Sequence, residues 1–597
     1  MIKRNRFLTA CILALLVCTS GCGYSLPDIE NHRIENSFTE DAVVYRTLYS
    51  SEVVNLNYLV SESSIDSTIS VNVIDFLVDY DDHGEIVPGL ASSWDSNNDS
   101  TIWTFHLRDD ITWVDYNGEY YDDVTADDWV CAYEYAQSAI SKEVSIASVE
   151  APNNKTLIYT LNEPCPFFTS LLSYSCFLPV CRSYLEKTGS MFAKDFKHLL
   201  YNGAYILHYF QPFEQQILVK NSSYWDKDNV VIDRIENYFD YDATAISVER
   251  YLKGSVDRAI VPSDKLKEYL EDPELSEHVH RTRPDNTASC FYAFNFYPRF
   301  DPKYEPENWA KAVANENFRK AIMSAIDRVS LLSIYEPNYP EILLCNTVTP
   351  SGALYVNGQN YAYLPELEQI SNRDSFNLTL ESYYRKMARK ELRAAGVTFP
   401  IKILMPYDPS IEGWGKEADK IALQIENALG RNFVDVIVEA GSSTGFDMSV
   451  IHSGKYALTK CSVSGAYYDP QTFTKPFVDN SNYIFWDKCE DTDIQALNEE
   501  WNILVERASA ITTNTSRRYS AFAKAEKLLI NNAIIIPFSI LNGDGYEMCK
   551  LNEFEGEFSH YGHANKRYKY MKLHDKSMNM DEYYQAYTEW IAGFFDN

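Results

Sequence analysis

The sequence predicts an α/β protein of several domains, and three observations carry that prediction. From Val43 onward, short β-rich runs alternate with stretches of helical period, with no internal repeat and no low-complexity tract. Hydrophobic residues make up 45% of the chain and charged residues 23%, the balance of a folded globular protein. At 597 residues there is room for roughly three or four cores, at about 150 residues per domain.

The chain begins MIKRNRFLTACILALLVCTSGCG, with Lys3, Arg4 and Arg6 ahead of an apolar run from Phe7 to Cys18. That is the layout of a secretory signal over residues 1–21, too short to be read as a spanning helix. Thr19-Ser20-Gly21-Cys22 resembles a bacterial lipoprotein box, with Thr19 where Leu is usual, and implies a lipid on Cys22. Plain secretion is the alternative. Residues 22–40 are then the lipidated cysteine and a polar tether. No later stretch reaches 18 apolar residues.

TIWTFHLR (101–108) reads as a strand entered through the turn DSNNDS. Residues 126–140 read as a helix with Thr125 as N-cap and acids in its first turn, where the dipole favours them. Further helices are predicted over 317–332, 381–396, 416–430 and 516–532, with strands at FPIKILMP, VDVIVEA and AIIIPFSI.

The formal charge of −32 argues against nucleic acid, whose binding runs on clustered Lys and Arg. Beyond the leader, cysteines stand at 131, 165, 176, 181, 290, 345, 461, 489 and 549, an odd number with no CxxC pair. Neither a zinc knuckle nor a disulfide scaffold is indicated. Gly441-Ser442-Ser443-Thr444-Gly445 matches the G-x-S-x-G of a hydrolase elbow, which needs a strand before the Ser and a helix after it. VDVIVEA supplies the strand, but FDMSVIHSG reads as a second strand, so this is taken as a glycine-rich loop. Asp95–Asp99 starts like a calcium loop but has Ser100 and His106 where Gly and Glu are needed. The eleven His are scattered, which disfavours a metal cargo, and no cofactor fingerprint occurs. The chemistry argues for a binder.

Pro88, Leu90-Ala91, Trp94, Thr104-Phe105-His106-Leu107-Arg108, Trp113 and Thr125-Ala126-Asp127-Asp128 follow one another in a recognisable order. They resemble extracytoplasmic solute-binding proteins of the peptide/nickel type. The resemblance continues through YNGAYILHYF, VKNSSYWDKDNVVIDRI, Gly254 with Asp257, FYAFNFYPRF, NFRKAIMSAIDR and RYSAFAKAEKLLINNAIIIPFSI. It implies a bilobal periplasmic-binding-protein-like clamshell with an additional inserted domain, three domains and two hinge crossings. The expected division is lobe I from 41–74, 198–308 and 516–597, an inserted domain over 75–197, and lobe III over 309–515. The implied function is a monomeric receptor that hands a solute to the permease and ATPase of an ABC importer, touching the membrane through its lipid alone. A surface receptor or chaperone of the same fold, taking a glycan or an amino-blocked ligand without transport, is the rival.

The stretch GAYYDPQTF (465–473) resembles the segment that in peptide-binding members reads Ala-Asp-Tyr-x-Asp/Glu-Pro, whose first Asp pairs with a peptide ammonium. Tyr467, Asp469 and Pro470 fit, but Ala466 stands at the anchor position. A buried ammonium without its carboxylate costs about 3–5 kcal/mol. Three outcomes stay open: Asp469 or another acid compensates, the rings of Tyr467 and Tyr468 hold the cation more weakly, or the ligand has no free amino terminus. The resemblance adds Gly465, the crossover Asn295, and Glu62, Ser63 and Ser64 at the end of SEVVNLNYLVSESS, which resembles the family's first strand and loop. A disulfide between Cys290 and Cys461 is the remaining hypothesis.

Overall fold

A computed structural model of the chain describes residues 42–61, 63–140, 144–478, 483–563 and 566–596. The expected signal, Cys22, the tether and Glu62 lie outside the described residues.

Two large apolar cores organise the molecule. One gathers residues between Tyr45 and Ile235, together with Tyr467, Cys549 and Leu551. The other gathers residues between Cys290 and Phe538, together with Tyr561. In the first region Ala91–Ser96, Ile102–Leu107, Thr156–Leu161 and Ile146–Asn153 form an antiparallel sheet in that order. The turn between its first two strands is closed by Asn97, whose Oδ1 accepts from the backbone N–H of Thr101 and Ile102. Helix Asp127–Ile140 follows, and the Asp128 carboxylate accepts from the Thr125 N–H, so the acid rather than Thr125 supplies the capping oxygen.

A second sheet joins distant parts of the chain: Val44–Tyr49 pairs in parallel with Arg234–Phe239, followed by Gln215–Lys220 and Tyr205–Gln211. A third places Tyr546–Cys549 between Arg258–Val261 and His280–Arg281. The sheet that carries the candidate site runs Leu458–Ser464, Asp285–Phe294, Ile535–Leu541, all antiparallel. Beside it, Ile401–Tyr407 and Val434–Ala440 pair in parallel around helix Trp414–Leu429, a short βαβ unit.

Several expectations are corrected. The helix expected over 317–332 is two helices, Glu316–Ala325 and Arg328–Leu332, with Asp327 capping the second through the Ser330 N–H at 3.2 Å. FDMSVIHSG is no strand: Asp447–Ile451 is a wide helical turn. Ser443 is nonetheless exposed and forms no side-chain hydrogen bond to a histidine or an acid among the described residues. The described residues of 51–64 hold no strand, and the first strand ends earlier, at Tyr49. Cys290 and Cys461 are both free thiols. Cys461 stands opposite Phe291 and Cys290 opposite Ser462, so the two side chains leave opposite faces of the sheet and cannot bond. The boundary expected at 515/516 does not coincide with a change of core. Helix Thr515–Asn531 and strand Ile535–Leu541 join the core of residues 290–538, as does Asp285–Phe294, while Tyr546–Cys549 returns to the sheet of Arg258–Val261.

Candidate functional site

The segment Gly465–Asp469 follows directly on strand Leu458–Ser464 and forms the seam between the two cores. Toward the first core, Tyr467 is buried and stacks on Phe167, ring centroids 4.0 Å apart and 7° from parallel. The Tyr468 N–H donates to Ser170 Oγ at 3.0 Å, and Tyr174 Oη donates to the Ala466 carbonyl at 2.8 Å. Toward the second core, Tyr519 Oη donates to the Tyr468 carbonyl at 3.1 Å, and the Tyr355 N–H donates to Tyr468 Oη at 2.8 Å. Burial pushes both Tyr467 and Tyr468 well up, so they act as neutral phenols. Gly465 is required by close approach: a Cβ there would sit 2.3 Å from the buried Tyr561 ring.

Ala466 packs, half-buried, against the apolar cluster of the first core, and its N–H donates to Thr472 Oγ1 at 2.8 Å. Asp469 is already committed to a partner. Its carboxylate is held in a bidentate pair by Arg518, at 2.6 Å from Nε and 2.9 Å from Nη2, with both side chains almost wholly buried. It also accepts from the Gln471 N–H, as the cap of the turn that begins at Pro470. Burial pushes its carboxyl up while Arg518 pulls it back, and freeing it would leave a buried guanidinium unpaired. Of the three outcomes left open by the sequence, compensation by Asp469 is removed by this geometry.

Asn295 is likewise committed. It is fully buried, its amide donates to the carbonyls of Gly454 and Tyr456, and its Oδ1 accepts from the Tyr297 N–H. It pins the end of its strand to the 454–457 loop and presents nothing to a ligand. Ser64 is tied to a distant part of the chain, its carbonyl accepting from the Lys566 ammonium. His563 lies edge-on to Tyr174, 5.4 Å between centroids, and Tyr174 bonds Ala466. Burial, aided by the Lys566 charge, holds His563 down at about 4, so its ring is neutral at physiological pH.

Sequence reasoning missed what lies one strand earlier. Strand Leu458–Ser464 is an edge of its sheet. Strand Ile401–Tyr407 covers that edge only at its start, where the Ala457 N–H donates to the Leu404 carbonyl and Thr459 Oγ1 to the Pro406 carbonyl, both at 2.8 Å. From Lys460 on no strand among the described residues lies beside it, and Ser462 and Ser464 are exposed. Against this stretch opens a cavity of about 630 Å³ with Trp414, Phe446, Leu332 and Leu343 in its walls. Lys460 is bonded there to the fully buried Glu417 at 3.0 Å and lies 4.8 Å from the centroid of the Trp414 ring. Tyr292 Oη donates to the same carboxylate. A second cavity, of about 150 Å³ among Tyr355, Tyr468 and Arg518, is too small for a peptide. The signal available in the sequence was the alternation LTKCSVS, with polar residues at every second place ending in two exposed serines.

The fold is a bilobal α/β one with a free strand edge and a cavity beside that edge, and the comparisons give its family. The profile of the bacterial extracellular solute-binding proteins, family 5 Middle, matches residues 85–485, more than half of the chain, and the protein belongs to that family of solute receptors. Oligopeptide-binding protein SarA of Streptococcus gordonii is 27% identical, covering 92% of this chain and 91% of its own. Oligopeptide-binding protein AliA of Streptococcus pneumoniae is also 27% identical, covering 93% of each chain. Among solved structures, the unliganded open form of the periplasmic murein tripeptide-binding protein MppA superposes with a TM-score of 0.66 at 21% identity, over 89% of this chain and 98% of that one. Listeria monocytogenes OppA bound to peptide gives 0.56 at 20% identity, over 89% and 99%. Among the described residues no helix is long and apolar enough to cross a membrane.

Proposed function

We propose that this protein is a receptor that captures an extended, peptide-like ligand between its two cores and delivers it to the permease and ATPase of an ABC importer. The observation that carries the reading is the uncovered edge of Leu458–Ser464, which offers backbone donors and acceptors for β-addition beside a cavity that can take side chains. Relatives named as oligopeptide-binding proteins, matched over nine-tenths of the chain, support the ligand class. No chemical step enters the reading.

Ala466 in apolar surroundings and Asp469 tied to Arg518 favour a ligand whose end at this wall is not a free ammonium. The leader and Thr19-Ser20-Gly21-Cys22 support export and a lipid on Cys22 as the membrane anchor of a monomer. Sheet membership supports one lobe from residues 44–281 with 546–549 and another from 285–541, with Tyr467 reaching from the second into the first. The test is native mass spectrometry of residues 23–597 as purified and after refolding. A co-purifying peptide mass lost on refolding is the expected result, and amino-blocked termini in it are expected from Ala466. A glycan mass in its place would transfer the protein to the rival reading, a surface receptor of the same fold.

A further inference from the structure

The cavity beside the free edge has a chemical character that names what enters it. We infer that it is the specificity pocket of the receptor and takes a large apolar side chain, aromatic or branched aliphatic, from a ligand strand paired with Leu458–Ser464. The inference rests on the peptide reading above and deepens it.

Position is the first argument. Side chains alternate along a strand, so Lys460 and Ser462 share one face, with Cys290 beside Ser462 and Ser539 beside Cys290, and these four line the cavity. A chain added along the edge sends every second side chain to that same face. The mouth lies where the Ile401–Tyr407 strand stops covering the edge, since Asp408 and Ile411, just after that strand, line it.

The lining is the second. Leu332, Leu343, Trp414, Phe446 and Ile451 are buried in the walls. At the rim Met448 is 70% exposed, Ile411 48% and Leu541 39%. Three large apolar side chains held in water around one opening are a surface that ligand contact would cover.

Charge is the third. Among the described residues that line the cavity, Lys460 is the one cation, and it is already spent on Glu417 and the Trp414 ring. An acidic side chain entering the pit would be desolvated with no cation free to pair with it. It would also meet Asp408 and Asp447, both in the lining. A volume of about 630 Å³ accommodates an aromatic ring and its neighbouring backbone.

The test is calorimetric titration of residues 23–597 with acetyl-pentaalanine-amide and with five versions carrying one Phe in turn. Phe at one position, or at positions two apart, is expected to strengthen binding about tenfold or more over the alanine peptide. In M448D and in I411D/M448D, which alter exposed rim residues and whose folding is checked by thermal unfolding, that ratio is expected to fall toward one. Equal binding of Phe and Ala peptides at every position, or a ratio untouched by either variant, overturns the pocket while leaving the peptide reading intact. Failure of every peptide to bind the wild-type chain overturns both.

Discussion

Glu526 shows what a single buried acid does to this protein. It lies on helix Thr515–Asn531, and its carboxylate accepts from Thr349 N–H and Oγ1, each at 3.0 Å, and from the Val348 N–H. Those bonds favour the charged form, but burial outweighs them and pushes the group from 4.5 up to about 7. A folded carboxyl raised above its unfolded value binds the proton more tightly in the native state. Its contribution is therefore complete below the unfolded value near 4.5 and is lost as pH rises through about 7, by about 3 kcal/mol in all. Glu526→Gln is expected to remove that fall. Urea unfolding at pH 5 and pH 8 should show the variant gaining on the wild type by about that amount at the higher pH. Parallel curves at the two pH values would mean that Glu526 is ionised in the native state. Asp469 is also raised by burial but has Arg518 as partner, so the two acids, one lodged among neutral donors and one in an ion pair, are separable by mutation.

Helix termini decide where the elements of the second core begin. Asn315, Asp327, Asn377, Asp491 and Asn514 each accept backbone N–H groups at an N-terminus. Asn377, like Asp491, takes two N–H groups: its Oδ1 accepts from Thr379 and Leu380, both at 3.0 Å, at the head of the 17-residue helix Leu378–Ala394. Asn377→Ala is expected to cost about 1 kcal/mol, read as a lower urea midpoint with unchanged slope, and Asn377→Asp is expected to restore it. The break after Ala325 has a different origin. Apolar residues at helical spacing run on through it, but the Asp327 N–H is claimed by Gln424 Oε1, and the Arg328 guanidinium reaches the carbonyls of Cys345 and Pro537. Contacts from elsewhere in the chain outbid one continuous helix.

At the scale of the molecule, helix Met580–Asp596 ties remote segments together. Trp590 Nε1 donates to the Asp82 carbonyl at 2.6 Å, and His83 Nε2 lies 3.0 Å from the Trp590 carbonyl. Phe594 stacks on Tyr355, centroids 4.6 Å apart, and the Arg283 guanidinium lies over Trp590 at 4.6 Å. Because the Tyr355 N–H donates to Tyr468, this helix also braces the seam. A chain ending at residue 579 is expected to unfold at lower temperature and to bind a hydrophobic dye at the uncovered Tyr355, Phe554 and Phe558. An unchanged melting point would mean that the helix rests on the surface without contributing.

The alternation of strand and helix, the bounds of the long amphipathic helices and the order of the family's short motifs are local properties. Each is set by the period of apolar residues or by a cap a few positions away, so the α/β class and the family were legible in the sequence. That Ala466 stands where the resemblance expects an acid is likewise a local reading, one position in a gapless stretch. The commitments of Asp469 and Asn295, the divided closing segment and the cavity were not. Asp469 meets an arginine 49 residues on, Asn295 bonds a loop about 160 residues away, and the cavity draws its walls from residues 290 to 542. Whether a carboxylate is free or paired, and whether a strand edge is covered or open, depends on which distant segments share a core. Only the assembled tertiary structure decides that.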